Sequence, residues 1–136
     1  MIQPRCQASF DRQAMMATLG ARLLSCDAGA CEIEAPVLDI ATQQHGFGHA
    51  GLTFSIGDSA MGYAALSILP EDREVVTSEI KTNLLAPARG DRLIARGRVM
   101  KPGRRLIVVL GEVFAVTDGA ERQIALLTGT MVPVDP

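Results

Sequence analysis

Asp58 is the only formally charged side chain between Thr42 and Pro70, in a chain whose content of Asp, Glu, Lys and Arg is 21%. An isolated carboxylate among apolar and small residues has two chemical uses, as a general base toward water or as a nucleophile toward an electrophilic carbon. Its competing role is structural, with the oxygens satisfied by backbone or by hydroxyls such as those of Ser55 and Ser59. The only two histidines, His45 and His49, lie just before the same run, in a loop that also holds Gln43. His49 is suited to fixing the entrance of a helix through its ring. His45 reads as a loop residue, and Gln43 can satisfy loop backbone.

The element that must position Asp58 is a helix from about Ala50 to Leu69, stopped by Pro70. Apolar and small residues fall all around its wheel instead of forming the stripe of a surface helix, so it is expected to be buried on nearly all sides. Met61 and Tyr63 read as its core contacts. Before it, Phe10 to Leu24 has amphipathic spacing with Ser9 as N-cap, the helix fading near Gly20, and Ala21 to Val37 reads as a hairpin turning at Asp27-Ala28-Gly29. Asp39 to Gly48 has no periodicity and reads as a loop.

Four strands follow the helix. Val75 to Ala86 alternates with Val76, Ile80 and Leu84 on one face and Thr77, Glu79, Lys81 and Asn83 on the other, a half-buried strand. Arg92 to Met100, Leu106 to Val116 and Arg122 to Val132 continue the series through short turns. Such connections require antiparallel pairing, because parallel strands need long crossovers. The plan is α+β: one antiparallel sheet curled around a central helix, with edges that must be covered or paired with a second copy.

At 136 residues the chain is expected to form a single domain over residues 1–136. A formal net charge of −2 and a pI near 5.6 give no electrostatic footprint for nucleic acid. Cys6, Cys26 and Cys31 are odd in number and fit no zinc spacing, so neither a disulfide framework nor a metal site is implied, and a reducing cytoplasm is the simplest compartment. The thiols are expected to be inert. No segment has the pattern of a secretory leader or a membrane span.

Four stretches carry a resemblance. His49-Ala50-Gly51 opens the helix with Asp58 nine residues after the histidine. Val76 to Asp91 forms the next strand and turn, and Gly103-Arg104-Arg105 and Thr128-Gly129-Thr130 follow in order and spacing. On these residues the chain resembles the hotdog-fold acyl-CoA thioesterases, and within them the phenylacetate-pathway (PaaI-like) branch, from about Gln43 to Val132. Two positions depart from that branch: Ala50 stands where it usually has glycine, and Gln43 where it often has asparagine.

The resemblance implies hydrolysis of an aryl or medium-chain acyl-CoA thioester with neither metal nor redox cofactor. Asp58 would be the general base or nucleophile and the Ala50 backbone amide the oxyanion donor, helped by the helix dipole. Gln43 would hold the carbonyl or the water, Thr77 would orient the water, and His49 would stand at the site. Gly51, Arg89, Lys101, Arg104 and Arg105 would contact CoA, the arginines through its phosphates. It further implies a homodimer joined sheet edge to sheet edge, paired again into a dimer of dimers. Each site would take Gln43, His49 and Ala50 from one chain and Asp58 from its neighbour. The alternative is a hotdog domain that binds acyl-CoA without turning it over. A hydratase of the same fold is disfavoured, because no Asp and His pair has the spacing those enzymes show.

Overall fold

The computed structural model describes residues 1–136. The elements in chain order are α1 (Pro4–Phe10), α2 (Ala14–Thr18), β1 (Arg22–Asp27), β2 (Ala30–Pro36), a 3-10 turn (Asp39–Ala41), α3 (Ala50–Leu66), β3 (Glu74–Leu84), β4 (Arg92–Pro102), β5 (Ile107–Thr117) and β6 (Ala120–Val134). All six strands form one sheet in the order β1-β2-β4-β5-β6-β3, and every neighbouring pair is antiparallel. This is the sheet-around-helix plan of the hotdog fold. No helix is long and apolar enough to cross a membrane.

The sheet is shaped to seat α3. Gly97 and Gly111 are cross-strand partners on β4 and β5. A Cβ at Gly97 would come within 2.5 Å of the Ala60 carbonyl oxygen, and one at Gly111 within 2.7 Å of the Met61 sulfur. Side chains are absent where the helix backbone comes down on the sheet, and the fully buried Met61 fills the space above. Around it Ile33, Ile56, Leu93, Val113 and Leu127 complete the core.

Three expectations are corrected. The helix expected from Phe10 to about Gly20 is not one helix: α1 and α2 are separated at Asp11–Gln13, and Ser9 lies inside α1. Apolar spacing alone could not place that break, because both short helices present residues, Phe10 and Met16, to the same core. The central helix ends at Leu66 rather than Leu69, and it is not buried on all sides. Gly51, Phe54, Ser55, Asp58 and Gly62 are exposed or half-buried, and their three- and four-residue spacing makes one open stripe along the helix.

The third correction is in β3, where the alternation reverses. A bulge between Thr77 and Glu79 puts one extra residue opposite β6, so Thr77 points toward α3 and Val76 is 51% exposed. Beyond the bulge Ile80 faces the core as expected. A bulge changes parity without leaving a mark in a period-two pattern.

The two sheet edges are treated differently. On β1 the N-terminal residues close the edge: the Cys26 amide donates to the Met1 carbonyl at 2.9 Å and the Gln3 amide to the Cys26 carbonyl at 3.0 Å. Nothing within the chain covers β3. Arg5 then fastens α1 to the end of α3, donating to the carbonyls of Leu69 at 3.1 Å, Pro70 at 2.8 Å and Arg73 at 2.6 Å.

Candidate active site

The open stripe of α3 carries two openings. The first is a cleft at the helix N-terminus, lined by Gln43, Phe47, His49, Ala50, Thr53 and the segment Leu84–Ala88. The loop before the helix is fixed onto that segment by the Gly48 amide, which donates to the Ala88 carbonyl at 3.0 Å. His49 is the N-cap, and its Nδ1 accepts the Gly51 amide at 2.7 Å. The ring nitrogen that accepts carries no proton, so Nε2 carries the hydrogen of the neutral ring. A Cβ on Gly51 would lie 3.0 Å from Nδ1, so the missing side chain at 51 makes room for the cap.

With the Gly51 amide occupied, Ala50 presents the free one. It is the first residue of α3 and so has no intrahelical acceptor, and it takes part in no loop or cap bond. Ala50 is not among the residues with positive φ, so alanine sits there without backbone strain. Gln43 accepts the His45 amide through Oε1, which leaves Nε2 as a donor at the cleft. Arg89 lies with its guanidinium 4.9 Å from the centre of the Phe47 ring, and His45 stacks on the same ring at 6.4 Å between centroids.

The second opening is a cavity of about 130 Å³ around Asp58. Thr77, aimed inward by the bulge, donates its hydroxyl to Asp58 Oδ1 at 2.6 Å. Asp58 is half-buried and pairs with no cation. On the sheet, by contrast, Arg96 bonds Glu121 through both terminal nitrogens, at 2.7 and 2.6 Å, and Glu32 at 2.8 Å. Those contacts hold the Glu121 carboxyl below its ordinary value, the hydrogen bonds from Arg96 being the largest cause.

The walls of this cavity include residues that sequence reasoning did not assign to the site. Ser9 and Gln13 come from the N-terminal segment, and Ser59, Gly62 and Tyr63 from α3 itself. Ser59 donates to Gln13 Oε1 at 3.0 Å, and the Tyr63 hydroxyl lies 3.1 Å from Ser9 Oγ. Burial pushes the Tyr63 phenol above its ordinary value, against the opposing pull of Ser9. Tyr63 is therefore a core residue whose polar tip reaches the cavity, whereas Met61 is core alone. No signal in the sequence ties residues 9 and 13 to Asp58; only the docking of α1 and α2 does.

Within one chain the expected residues fall into separate groups. Gln43, His49, Ala50, Gly51 and Arg89 gather at one end of α3, and Asp58 and Thr77 at its middle. Eight residues of helix separate Ala50 from Asp58, about 12 Å of axial rise. An oxyanion donor must lie roughly 3 Å from the oxygen it stabilises, so the two cannot act on one carbonyl from the same chain. Lys101 lies at the exposed end of β4, and Arg104 and Arg105 occupy the exposed turn that follows it. That turn belongs to the far end of α3, because the Val99 amide bonds Gly29 at 2.7 Å and the Gly29 amide bonds Ser67 Oγ at 2.8 Å. No group of three or more His, Cys, Asp and Glu is arranged to hold a metal ion.

Comparison with known proteins places this geometry in a family. A model of the thioesterase superfamily matches residues 45–121, which includes the helix and the bulged strand with Ala50, Asp58 and Thr77. A thioesterase family protein from Silicibacter pomeroyi is 45% identical, with a TM-score of 0.94 over 97% of both chains. The PaaI protein of the E. coli phenylacetic acid degradation operon is 26% identical, with a TM-score of 0.83 over 94% of this chain and 89% of its own. Two proteins of Saccharolobus solfataricus provisionally described as esterases are 30% and 34% identical over 91 residues. The match covers 67% of this chain but only 64% and 58% of those two. The order of elements, the seated helix and the family match over residues 45–121 agree: the chain belongs to the thioesterase superfamily and has the hotdog fold.

Proposed function

We propose that the protein, as one domain, hydrolyses an acyl-CoA thioester of the aryl or medium-chain kind. The observation that carries this reading is Asp58: a half-buried carboxylate with no cation, one oxygen on Thr77 and the other open to a cavity. A structural carboxylate would be expected to have both oxygens engaged. Asp58 acts as general base on water or as nucleophile on the carbonyl carbon, and the Ala50 amide receives the charge that develops on oxygen. The Gln43 Nε2 donor steadies the carbonyl, and Thr77 fixes the carboxylate that orients the water.

The separation of about 12 Å along α3 supports a site made by two chains. The uncovered β3 edge is the natural seam. Antiparallel pairing of β3 with its copy sets the Leu84 end of one strand beside the Glu74 end of the other, so the Ala50 cleft of one chain meets the Asp58 cavity of its partner. The same pairing brings the Lys101, Arg104 and Arg105 turn to the cleft that holds Arg89, where cations would receive the CoA phosphates. Pairing of two such dimers through the remaining apolar surface, including Phe54, which is 41% exposed, completes the proposed assembly.

The test is release of free thiol from a panel of aromatic and aliphatic acyl-CoA esters by the wild type and by Asp58→Asn. Turnover is expected to fall at least about a hundredfold in the variant, with binding of a CoA ligand retained. Binding without turnover by the wild type would instead establish the acyl-CoA-binding domain.

A further inference from the structure

The side-chain hydroxyls of α3 have partners, with one exception. Ser55 donates to the Gly51 carbonyl at 2.7 Å, Ser59 donates to Gln13 at 3.0 Å, and the Tyr63 hydroxyl lies 3.1 Å from Ser9 Oγ. Ser67, just past the helix, donates to the Ala64 carbonyl at 2.7 Å. Thr53 is more buried than any of these, at 2% exposed, yet its hydroxyl meets no donor or acceptor of the chain. No fully enclosed side-chain oxygen lacks a partner in this fold. The Thr53 oxygen is therefore not enclosed, and the hollow it borders is the N-terminal cleft of about 470 Å³. The fold has no use for the hydroxyl: valine would fill the same space, and a buried hydroxyl without a partner costs free energy.

What the hydroxyl can do follows from the groups around it. The Ala50 amide and Gln43 Nε2 can only donate. The other side-chain acceptors of the cleft are already engaged, Gln43 Oε1 by the His45 amide and His49 Nδ1 by the Gly51 amide. Thr53 Oγ1 is thus the one free side-chain acceptor there. Phe47 and the segment from Leu84 to Pro87 make the rest of the wall apolar. Thr53 follows Ala50 by three residues, about 4.5 Å of rise, and a helical side chain leans back toward the N-terminus, so the hydroxyl stands within one turn of the free amide.

An acyl-CoA thioester carries one group that needs an acceptor so close to its carbonyl, the amide N–H two methylenes beyond the sulfur. We infer that Thr53 is a specificity residue for the leaving group: its hydroxyl oxygen accepts that amide N–H while the Ala50 amide holds the thioester carbonyl. This rests on the thioesterase reading and deepens it, since Ala50 serves the carbonyl that reacts and Thr53 reads the thiol arm that leaves. It also gives the cleft a reason to distinguish amide-bearing thiols from other thiols of the same length.

The experiment uses paired short thioesters of the acyl group that the full-length wild type releases fastest from CoA. One is the N-acetylcysteamine thioester, and the other has an ester oxygen in place of its amide N–H. Wild type, Thr53→Val and Thr53→Ser are compared by thiol release, with melting temperature read in parallel. The wild type is expected to prefer the amide by about tenfold in kcat/KM. Thr53→Val is expected to lose that preference, falling about tenfold on the amide and little on the ester, and to melt no lower than wild type, because the hydroxyl bonds nothing in the fold. Thr53→Ser keeps the hydroxyl and is expected to keep the preference.

Two results would overturn the inference: an unchanged preference in Thr53→Val, or an equal loss on both thioesters, which would make Thr53 part of the fold or of the reacting centre. Absence of turnover from every CoA ester defeats the thioesterase reading alone. Wherever the short thioesters are not turned over, Thr53 is judged by calorimetric binding of the matching thioethers. Tighter binding of the amide by wild type, lost in Thr53→Val, is then expected, and equal binding of amide and ester by wild type overturns the inference.

Discussion

The two openings on α3 lie on one stripe of one helix, yet they are built from different materials. The N-terminal cleft is made of backbone. Its donor is the Ala50 amide, and its polar side chains bond main-chain groups next to them in sequence, His49 to the Gly51 amide and Gln43 to the His45 amide. The Asp58 cavity is made of side chains from distant parts of the chain, Ser9, Gln13, Asp58, Thr77 and Met131. A helix end supplies fixed dipoles through its own geometry. A carboxylate has to be aimed, and here a bulge in β3 does it.

This contrast predicts how each opening breaks. Asp58→Asn removes the proposed base or nucleophile and is expected to lower kcat by about 10²- to 10⁴-fold, measured as thiol release at saturating substrate. In the cleft a side-chain deletion at Ala50 changes little, so the donor itself must go. Proline is tolerated at the first position of a helix, and His49, at φ −64 and ψ 147, already has the extended backbone that precedes proline. Ala50→Pro is therefore expected to fold, with an unchanged far-ultraviolet spectrum, and to lose about 10²- to 10³-fold in kcat.

The same two variants decide whether the openings belong to one shared site. Refolded as a mixture, they form hybrid dimers in which one site carries both changes and the other carries neither. Recovery to about a quarter of wild-type activity is expected for a two-chain site in a symmetric dimer. If the mixture stays as inactive as its components, each chain holds its own site and the composite arrangement is wrong.

Smaller effects separate aiming from capping. Thr77→Val removes the bond to Asp58 and is expected to lower kcat about tenfold, with KM unchanged. His49→Ala removes the helix cap, and the expected loss of about 1 kcal/mol should read as a fall of roughly 4 °C in melting temperature.

The buried thiols serve as the silent region. The hydrogen bond to Cys31, with burial, pushes the Cys26 thiol up to about 12 from its ordinary 9.0, and Cys6 is raised further, chiefly by its contact with Cys26. No labelling by a thiol reagent is expected in the native protein at pH 8, which keeps the thiol-release assay free of background. A group raised on folding stabilises the native state fully below its unfolded value, so this contribution should fade as pH climbs from about 9 toward 12. Calorimetric melting across that range measures it.

Much of the fold was legible in the residues. The four strands after α3, the hairpin at Ala28-Gly29 and the helix starting at Ala50 follow from alternation, turn residues and a proline stop. The open stripe was not, because Gly51, Ser55 and Gly62 are small or neutral and leave no polar face on a helical wheel. Nor was the inward turn of Thr77, since one extra residue at the bulge reverses the faces of the residues before it and leaves those after it as alternation assigns them.

By itself the sequence determined what acts over short range: which segments are helix or strand, where a free amide stands, and which carboxylate lies among uncharged residues. Those properties depend on neighbours a few positions away. Only the tertiary structure decided what surrounds that carboxylate, because Ser9, Gln13, Thr77 and Met131 reach Asp58 through the docking of α1 and α2 and the register of β3 on β6. Such contacts are fixed by the packing of the whole core, to which each local pattern contributes only a part.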